Sequence, residues 1–233
     1  MDEKFVCQLK EELKQIDVEL TERQIEQFYN YYELLIHWNS MINLTAITQL
    51  DEVVTKHFVD SLSLKKIIVD IGQKSQSLID VGTGAGFPEL KITLLDSLNK
   101  RVKFLNEVVE TLQLDNITAV HGRAEDYGRD NVSRETFDIC VSRAVANLST
   151  LAEYCMPFVK VGGCFVPYKS GKLEEELANG RGAVKKLSGE IEEIITFTLP
   201  NADERSLVKI RKTAPLNKKY PRKAGMPSKE PLR

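Results

Sequence analysis

Apolar residues recur at helical spacing through the first third of the chain. This spacing predicts an amphipathic helix over residues 4–16, and Thr21 with Gln24 forms a capping-box pattern ahead of a second helix. A third helical stretch is expected from about Asp51 to Ile68, entered after Thr48. The first third of the chain is therefore predicted to be helical.

The pattern changes from Ser77 onward, where short apolar, β-branched runs alternate with helical segments. Such alternation is typical of βαβ units and a parallel sheet. Two further runs, Ile194–Leu199 and Leu207–Arg211, are separated only by a loop and predict an antiparallel edge hairpin. The parallel strands are predicted at residues 78–81, 92–95, 117–120, 137–141 and 164–168.

The predicted fold class follows from this order of elements. It is α/β, with a doubly wound, mostly parallel, seven-stranded sheet of the Rossmann-like class I methyltransferase form. Residues 1–70 are expected to form an N-terminal helical segment that packs on a core domain of residues 71–233, essentially one structural unit.

A glycine-rich loop, Gly82-Thr83-Gly84-Ala85-Gly86-Phe87-Pro88, directly follows the strand that ends at Val81. Glycines in this position let backbone approach a ligand closely. A dinucleotide fingerprint would place glycine at the sixth position, where this chain has Phe87. The loop therefore favours a nucleoside ligand without a pyrophosphate, most commonly S-adenosylmethionine, over NAD or a purely structural turn. The predicted contacts are Gly82, Gly84, Gly86 and Phe87.

Polar residues follow three other predicted strands, at the rim where open α/β sheets bind ligands. Asp96 can accept hydrogen bonds from both ribose hydroxyls, or cap the helix that follows it. Backbone groups around Ala124 and Glu125 can bind adenine, or belong to a surface turn. Arg143 can bind the cofactor carboxylate or an RNA phosphate, or pair with a carboxylate such as Asp80. We assign Arg143 as the orienting residue of the site.

The connection between the first two predicted strands is unusually short. Nine residues separate Val81 from Lys91, whereas a crossover between parallel strands needs a dozen or more, normally including a helix. Either this helix has been lost, or the sequence is spliced across missing residues. We favour the second explanation and predict a chain break between Pro88 and Glu89, which a normal peptide bond at that point would contradict.

Composition and charge add a candidate partner. Apolar residues make up 42% of the chain and charged residues 28%, and no apolar run approaches the length of a membrane span or a secretory signal, so a cytoplasmic protein is expected. The net charge is −2, but residues 209–233 contain nine Lys or Arg and one acid. A basic end suits contact with a nucleic acid, although solvated basic tails are common. The candidate RNA contacts are Lys218, Lys219, Arg222 and Lys223, which would bind phosphate, and Tyr220, which would stack on a base.

Cysteine and histidine give no indication of metal chemistry. The cysteines are widely separated and lack metal-ligand spacing, which predicts reduced, mostly buried thiols and no metal site. His37 and His57 are interpreted as structural residues. The four cysteines are Cys7, Cys140, Cys155 and Cys164.

Taken together, several segments resemble the bacterial 16S rRNA guanine-N7 methyltransferase family known as RsmG or GidB. The similarity covers nearly the whole chain and is highly specific. The similar segments are Trp38-Asn39, Asn43-Leu44-Thr45, 57–62, 80–88, 96–101, 123–125, 142–146 and 219–223.

The resemblance implies a fold, a reaction and a set of contacts. The reaction would be methyl transfer from S-adenosylmethionine to N7 of the guanine conventionally numbered 527 in 16S rRNA, either free or in the 30S subunit, with no obligate protein partner. The family also has about nine more residues after its Gly-Phe-Pro, in agreement with the short connection. The implied cofactor contacts are Gly82, Phe87, Ala124, Glu125 and Arg143.

This reaction requires little acid–base chemistry. Guanine N7 carries an in-plane lone pair and no proton at neutral pH, so no general base is assigned and catalysis reduces to positioning and exclusion of water. The target guanine is expected to be unpaired or splayed out. Two alternatives are a small-molecule methyltransferase, which would act without RNA, and a non-catalytic RNA-binding protein with a degenerate cofactor loop, which would not bind S-adenosylmethionine.

Overall fold

At the centre of the fold lies a seven-stranded sheet in the order β3-β2-β1-β4-β5-β7-β6. This computed structural model describes residues 1–71, 76–82, 90–143, 146–171 and 173–233. Strands β1 to β5 pair in parallel, and β7 is antiparallel to both of its neighbours. The predicted α/β fold and edge hairpin are thereby confirmed. The strands are β1 Ser77–Val81, β2 Lys91–Asp96, β3 Ile117–His121, β4 Phe137–Ser142, β5 Val159–Lys169, β6 Gly189–Thr198 and β7 Glu204–Lys212.

Helices precede the sheet and connect its strands. The capping box predicted at the start of the second helix is present, because Thr21 Oγ1 accepts a hydrogen bond from the Gln24 backbone while Gln24 Oε1 accepts one from the Thr21 backbone. The α-helices are α1 Glu3–Lys14, α2 Glu22–Ile42, α3 Leu50–Val53, α4 Asp60–Leu62, α5 Asn99–Thr111, α6 Ala124–Tyr127, α7 Leu148–Cys155, α8 Leu173–Lys186 and α9 Met226–Lys229.

The predicted third helical stretch is present but is not a uniform α-helix. Helix α3 continues into a π-helix at Val54–Val59, then into α4 and a 3₁₀ turn at Ser63–Lys66. π-Helices are rare and occur frequently at functional sites. The sequence pattern did not reveal this irregularity, because apolar spacing alone does not separate a π-helical turn from an α-helical one.

Each face of the sheet is covered by its own set of helices. On one face, Leu78, Ile92 and Leu94 share a core with α5 and with the helical segment that precedes the sheet. On the other, Ile79 and Leu95 pack with α7 and α8. Both cores contain fully buried side chains, and each such side chain contributes roughly 1.5–3 kcal/mol to folding. Burial was expected for most cysteines; three are buried, and Cys7 is exposed.

The short connection noted in the sequence joins two strands that lie side by side. Strands β1 and β2 are parallel neighbours, with Ser77 opposite Lys91 and Val81 opposite Leu95. The crossover from β2 to β3 contains α5, whose 13 residues alone exceed the nine that link β1 to β2. The predicted break between Pro88 and Glu89 lies outside the described residues and stays a prediction.

The C-terminal segment, residues 213–233, is held to the second face by hydrogen bonds rather than by strands. The Arg222 guanidinium binds the Glu153 carboxylate, and Arg134 Nη1 donates to the Tyr220 carbonyl at 2.8 Å. Glu153 is fully buried, so its charge is compensated inside the protein. This basic segment therefore has a defined position, although it contains little regular structure.

Strand β6 forms one edge of the sheet. Three glutamates, Glu190, Glu192 and Glu193, project from this strand and are exposed. The pairing with β7 shifts register between Ile191 and Glu193, which marks a bulge.

Candidate cofactor and substrate site

Four neighbouring strands end at one rim of the sheet, and hydrogen bonds between their ends hold this rim together. The Gly82 backbone N–H donates to the Leu95 carbonyl at 3.1 Å, and the Gly122 N–H donates to the Asp96 carbonyl at 3.0 Å. Arg143 follows β4 at the same rim. Because ligands of open α/β sheets bind at this end of the strands, the predicted site residues lie where a ligand is expected.

Gly82 has the backbone conformation that its predicted role requires. Its φ of 102° lies in the left-handed region, which glycine adopts without the steric cost of a Cβ atom. Gly82 also lines the cavity described below. The other three loop residues predicted to contact the cofactor, Gly84, Gly86 and Phe87, lie outside the described residues, so their contacts stay predictions.

Asp96 does not cap α5, because the N-cap of that helix is Leu98 and no side chain accepts a capping hydrogen bond there. The Asp96 side chain is buried, and Oδ1 accepts the Leu98 backbone N–H at 2.7 Å, just before α5. Its Oδ2 lies 3.3 Å from Arg101 Nη1. A carboxylate offers about four lone-pair sites, so these two contacts leave capacity for ribose hydroxyls.

Ala124 and Glu125 begin the short helix that follows β3. The Glu125 side chain is buried, and its Oε1 accepts the Gly225 backbone N–H at 2.9 Å. The side chain thus holds the C-terminal segment, and the binding of adenine by the backbone groups of this turn stays a prediction. The Gly122 position is also constrained, because a Cβ there would lie 2.5 Å from the Tyr127 ring.

Arg143 lies beside a carboxylate that sequence reasoning did not name. Its Nη1 is 3.9 Å from Asp60 Oδ2 and donates to the His57 carbonyl at 3.3 Å. Asp60 also binds Arg205, with 3.2 Å between Oδ1 and Nε. Burial raises the pKa of Asp60, and the two guanidinium groups oppose that rise. Arg143 is therefore held between the π-helix and the strand ends.

A cavity of about 980 Å³ opens beside these residues. Its polar end is lined by Thr45, His57, Asp60, Gly82 and Arg143. The remaining lining combines apolar and aromatic side chains of α2, α5 and the sheet with charged and amide side chains such as Arg23, Gln27 and Arg101. The end at Gly82 and Arg143 offers the convergent polar groups that a ligand site needs, whereas the part beside α5 lies on the face where a right-handed crossover from β1 to β2 would pack. Its aromatic lining consists of Phe28, Tyr31, Phe58 and Phe104.

Comparison with known proteins identifies the family. The model of the GidB family, described as rRNA small subunit methyltransferase G, matches residues 24–208. The chain belongs to this family. The resemblance inferred from its motifs is confirmed.

Relatives within the GidB family match over nearly the whole chain. The ribosomal RNA small subunit methyltransferase G of Lachnoclostridium phytofermentans is 52% identical over 231 residues, covering 94% of each chain. Its counterpart in Acetivibrio thermocellus is 51% identical and covers 92% of this chain and 91% of that one. In the first alignment, 94% of this chain is only about 219 residues, so about twelve of the 231 positions have no residue here.

Solved structures with low sequence identity share the fold alone. A variant of the 16S rRNA (adenine(1408)-N(1))-methyltransferase of Catenulisporales acidiphilia is 11% identical, with a TM-score of 0.51 over 66% of this chain and 93% of that one. The YcgJ protein of Bacillus subtilis is 10% identical, with a TM-score of 0.50 over 64% of this chain and 97% of that one.

His57 of this GidB-family chain, which sequence reasoning interpreted as structural, lines the cavity. Its Nε2 lies 3.2 Å from Thr45 Oγ1. Burial, and the nearby positive charge of Arg143, lower the pKa of His57 to about 4, so the ring is neutral at physiological pH. The sequence offered one signal, since Thr45 and His57 both belong to segments that resemble the family. Only the fold shows that the two side chains are in contact.

The pKa of His57 predicts a pH-dependent contribution to stability. An ordinary histidine pKa of 6.5 applies to the unfolded chain, so acidification from pH 6.5 to about 4 protonates the unfolded state first and favours it. The contribution is therefore fully present above pH 6.5 and is lost as the pH falls. We expect the Tm of the wild type to drop more steeply over this interval than that of His57→Gln. Parallel curves in differential scanning calorimetry would contradict the assignment.

The C-terminal segment places only part of the predicted RNA-binding set at the surface. Lys218, Lys219 and Lys223 are exposed. The expectation that Tyr220 stacks on a base is not supported, because its ring is buried in the second core and only 7% exposed. Arg222 donates from Nε and Nη2 to Glu153, so in this structure its guanidinium holds the C-terminal segment in place.

Across the described ranges, none of the helices is both long and apolar enough to span a bilayer. Nor do these ranges contain a group of three or more His, Cys, Asp or Glu side chains arranged to bind a metal ion.

Proposed function

We propose that this chain transfers a methyl group from S-adenosylmethionine to N7 of a guanine in 16S rRNA, the guanine conventionally numbered 527, in the cytoplasm. One observation carries the proposal: Gly82, Asp96, the Ala124–Glu125 turn and Arg143 lie at the ends of four adjacent strands, and Gly82 and Arg143 also line a cavity. Membership of a family of small-subunit rRNA methyltransferases supports the same reaction.

The residues at the rim fit this cofactor. S-adenosylmethionine supplies a methyl group carried on a positively charged sulfur. Gly82 would let the loop backbone approach it, the Asp96 carboxylate would accept the ribose hydroxyls, and the turn at Ala124 and Glu125 would bind adenine. Arg143 would bind the cofactor carboxylate or a phosphate of the RNA.

The rest of the mechanism is positioning. Guanine N7 is unprotonated at neutral pH, so no residue has to remove a proton from it. Holding the acceptor atom in a near-attack geometry supplies roughly 7–11 kcal/mol. The apolar and aromatic walls of the cavity exclude water from the base.

A methyl-transfer assay with labelled cofactor tests the proposal. The enzyme would be given naked 16S rRNA or 30S subunits, and chemical cleavage at N7-methylguanine would then locate the modified base. We expect label only at the guanine conventionally numbered 527. Comparison of the two substrates shows whether the enzyme acts on free RNA or on the subunit particle. Label incorporated without any cleavage at a guanine would contradict the N7 assignment, and transfer to a small molecule without RNA would contradict the substrate.

The exposed lysines of the C-terminal segment predict a salt-dependent contribution to RNA binding. Each phosphate contact on single-stranded RNA adds roughly 0.7 to the slope of log affinity against log salt concentration. Replacing Lys218, Lys219 and Lys223 together with alanine should therefore lower this slope by about 2. Fluorescence anisotropy with labelled RNA at several salt concentrations measures it.

A charge-matched variant controls for net charge. Lys14, Lys185 and Lys186 are equally exposed and lie on α1 and α8. Their triple alanine variant should keep the wild-type slope. Equal slopes for the two triple variants would show that the C-terminal segment does not contact RNA phosphates.

A further inference from the structure

The polar end of the cavity includes Gly82, which the proposed function places next to the cofactor. Reacting atoms must come within about 3–3.5 Å of one another, so an acceptor base would lie close to the cofactor and to the groups around it. Thr45 and His57 line this end of the cavity, and the proposed function gives neither of them a role.

Both residues are held in place by contacts that do not involve a ligand. The Thr45 backbone N–H donates to Asn39 Oδ1 at 2.8 Å, and Thr45 Oγ1 accepts the Ile47 N–H at 3.0 Å. His57 lies on the π-helix, and its carbonyl accepts a hydrogen bond from Arg143 Nη1. Such support is what a recognition site needs, because a loosely held donor loses orientation.

The contact between the two side chains suits one tautomer of the histidine. The Thr45 hydroxyl, whose oxygen accepts the Ile47 N–H, can donate its own proton to His57 Nε2, 3.2 Å away. A neutral ring that accepts at Nε2 carries its proton on Nδ1. No hydrogen bond to Nδ1 is found from any of the residues that the structure describes. In this tautomer, a residue that lines the cavity has a neutral N–H donor for a ligand.

Guanine presents the matching group. Its O6 and N7 are both acceptors on one edge of the base, so a donor that binds O6 leaves the N7 lone pair free. A neutral donor has a further advantage, since a cation at O6 would withdraw electron density from N7 and repel a positively charged methyl donor. Aromatic side chains such as Tyr31 and Phe28 line the same cavity and suit the face of a purine.

We propose that Nδ1–H of His57, oriented by Thr45, donates a hydrogen bond to O6 of the target guanine and so directs N7 toward the methyl group. This inference rests on the proposed function and names the base-binding part of the same site. His57 is a positioning residue that takes no proton from the substrate.

Two substitutions separate the two nitrogens of the ring. In His57→Asn the side-chain amide nitrogen can occupy the position of Nδ1, so a donor is kept while the Thr45 contact is lost. In His57→Gln the amide group reaches the position of Nε2, so the Thr45 contact is kept and the donor is lost. Each variant would be tested on RNA carrying either guanine or 2-aminopurine at the target position. 2-Aminopurine has N7 but lacks O6.

The preference for guanine over 2-aminopurine is the readout. One neutral hydrogen bond corresponds to roughly a fivefold to tenfold preference. We expect the wild type to show at least this preference in kcat/KM and in RNA affinity measured without cofactor. His57→Asn should keep most of it, and His57→Gln should reduce it by about the same fivefold to tenfold.

Three results would overturn the assignment. The first is equal activity of the wild type on guanine and 2-aminopurine. The second is a full preference for guanine in His57→Gln. The third is a loss of cofactor affinity and Tm in both variants that parallels the loss of turnover, which is the result expected if His57 is only structural. Failure of the proposed function is a separate observation, since it would appear as absence of N7 methylation by the wild type on guanine-containing RNA.

Discussion

Replacing Arg143 with alanine is expected to lower methyl transfer about a hundredfold while leaving the protein folded. Truncating one partner of a buried, hydrogen-bonded charge pair costs roughly 2–5 kcal/mol, and every 1.4 kcal/mol is a factor of ten. Here the lost guanidinium would no longer bind the cofactor carboxylate or an RNA phosphate, and the His57 carbonyl would lose a donor. Single-turnover transfer rates and thermal unfolding measure the two effects separately.

Arg205→Ala is the matched control for this substitution. Arg205 binds the same carboxylate, Asp60, at a shorter distance than Arg143 does, but it is not among the residues that line the cavity. Both variants should therefore lose a comparable amount of stability, whereas only Arg143→Ala should lose transfer. Equal losses of transfer would assign Arg143 to the support of Asp60 and remove it from the site.

Replacing Arg222 with alanine is expected to lower the Tm by about 10 °C. Glu153 is fully buried, and Arg222 donates to it from its backbone N–H at 2.8 Å, from Nε at 2.9 Å and from Nη2 at 2.7 Å. Removing the guanidinium leaves a buried carboxylate without a countercharge, which costs roughly 3–5 kcal/mol. For a chain of this length each kcal/mol corresponds to roughly 2–4 °C in calorimetry.

Two further variants isolate the cause of this effect. Lys223→Ala removes a neighbouring exposed charge and should leave the Tm within about 1 °C, because surface substitutions usually change stability by less than 0.5 kcal/mol. Adding Glu153→Gln to Arg222→Ala should recover part of the loss, since a neutral amide costs less to bury than a carboxylate. A Tm for Arg222→Ala within 2 °C of the wild type would show that the pair contributes little.

The fold could be predicted from the sequence because its signals are local. The alternation of short apolar runs with helical segments, the capping box at Thr21 and the adjacent runs of the edge hairpin each depend on neighbouring residues. The irregular helix at Val54–Val59 could not be predicted this way. Its hydrogen-bond pattern is set by packing between the first core and the strand ends, which no local spacing records.

The candidate site could be predicted only in part, for the same physical reason. Gly82, Asp96 and Arg143 follow predicted strands, so the topology of the fold places them together. Tyr220 and Arg222 were assigned to RNA because a basic segment indicates a polyanion. The partner that holds Arg222, Glu153, is 69 residues away, and the sequence gives no sign of the contact.

The edge formed by β6 affects how copies of this protein behave toward one another. An exposed edge strand offers unpaired backbone groups to any other strand, yet two copies meeting at β6 would bring the carboxylates of Glu190 and Glu193 close together. The bulge after Ile191 also interrupts the straight ladder that strand addition needs. Self-association through this edge is thus opposed, and with it the strand-by-strand growth that builds fibrils.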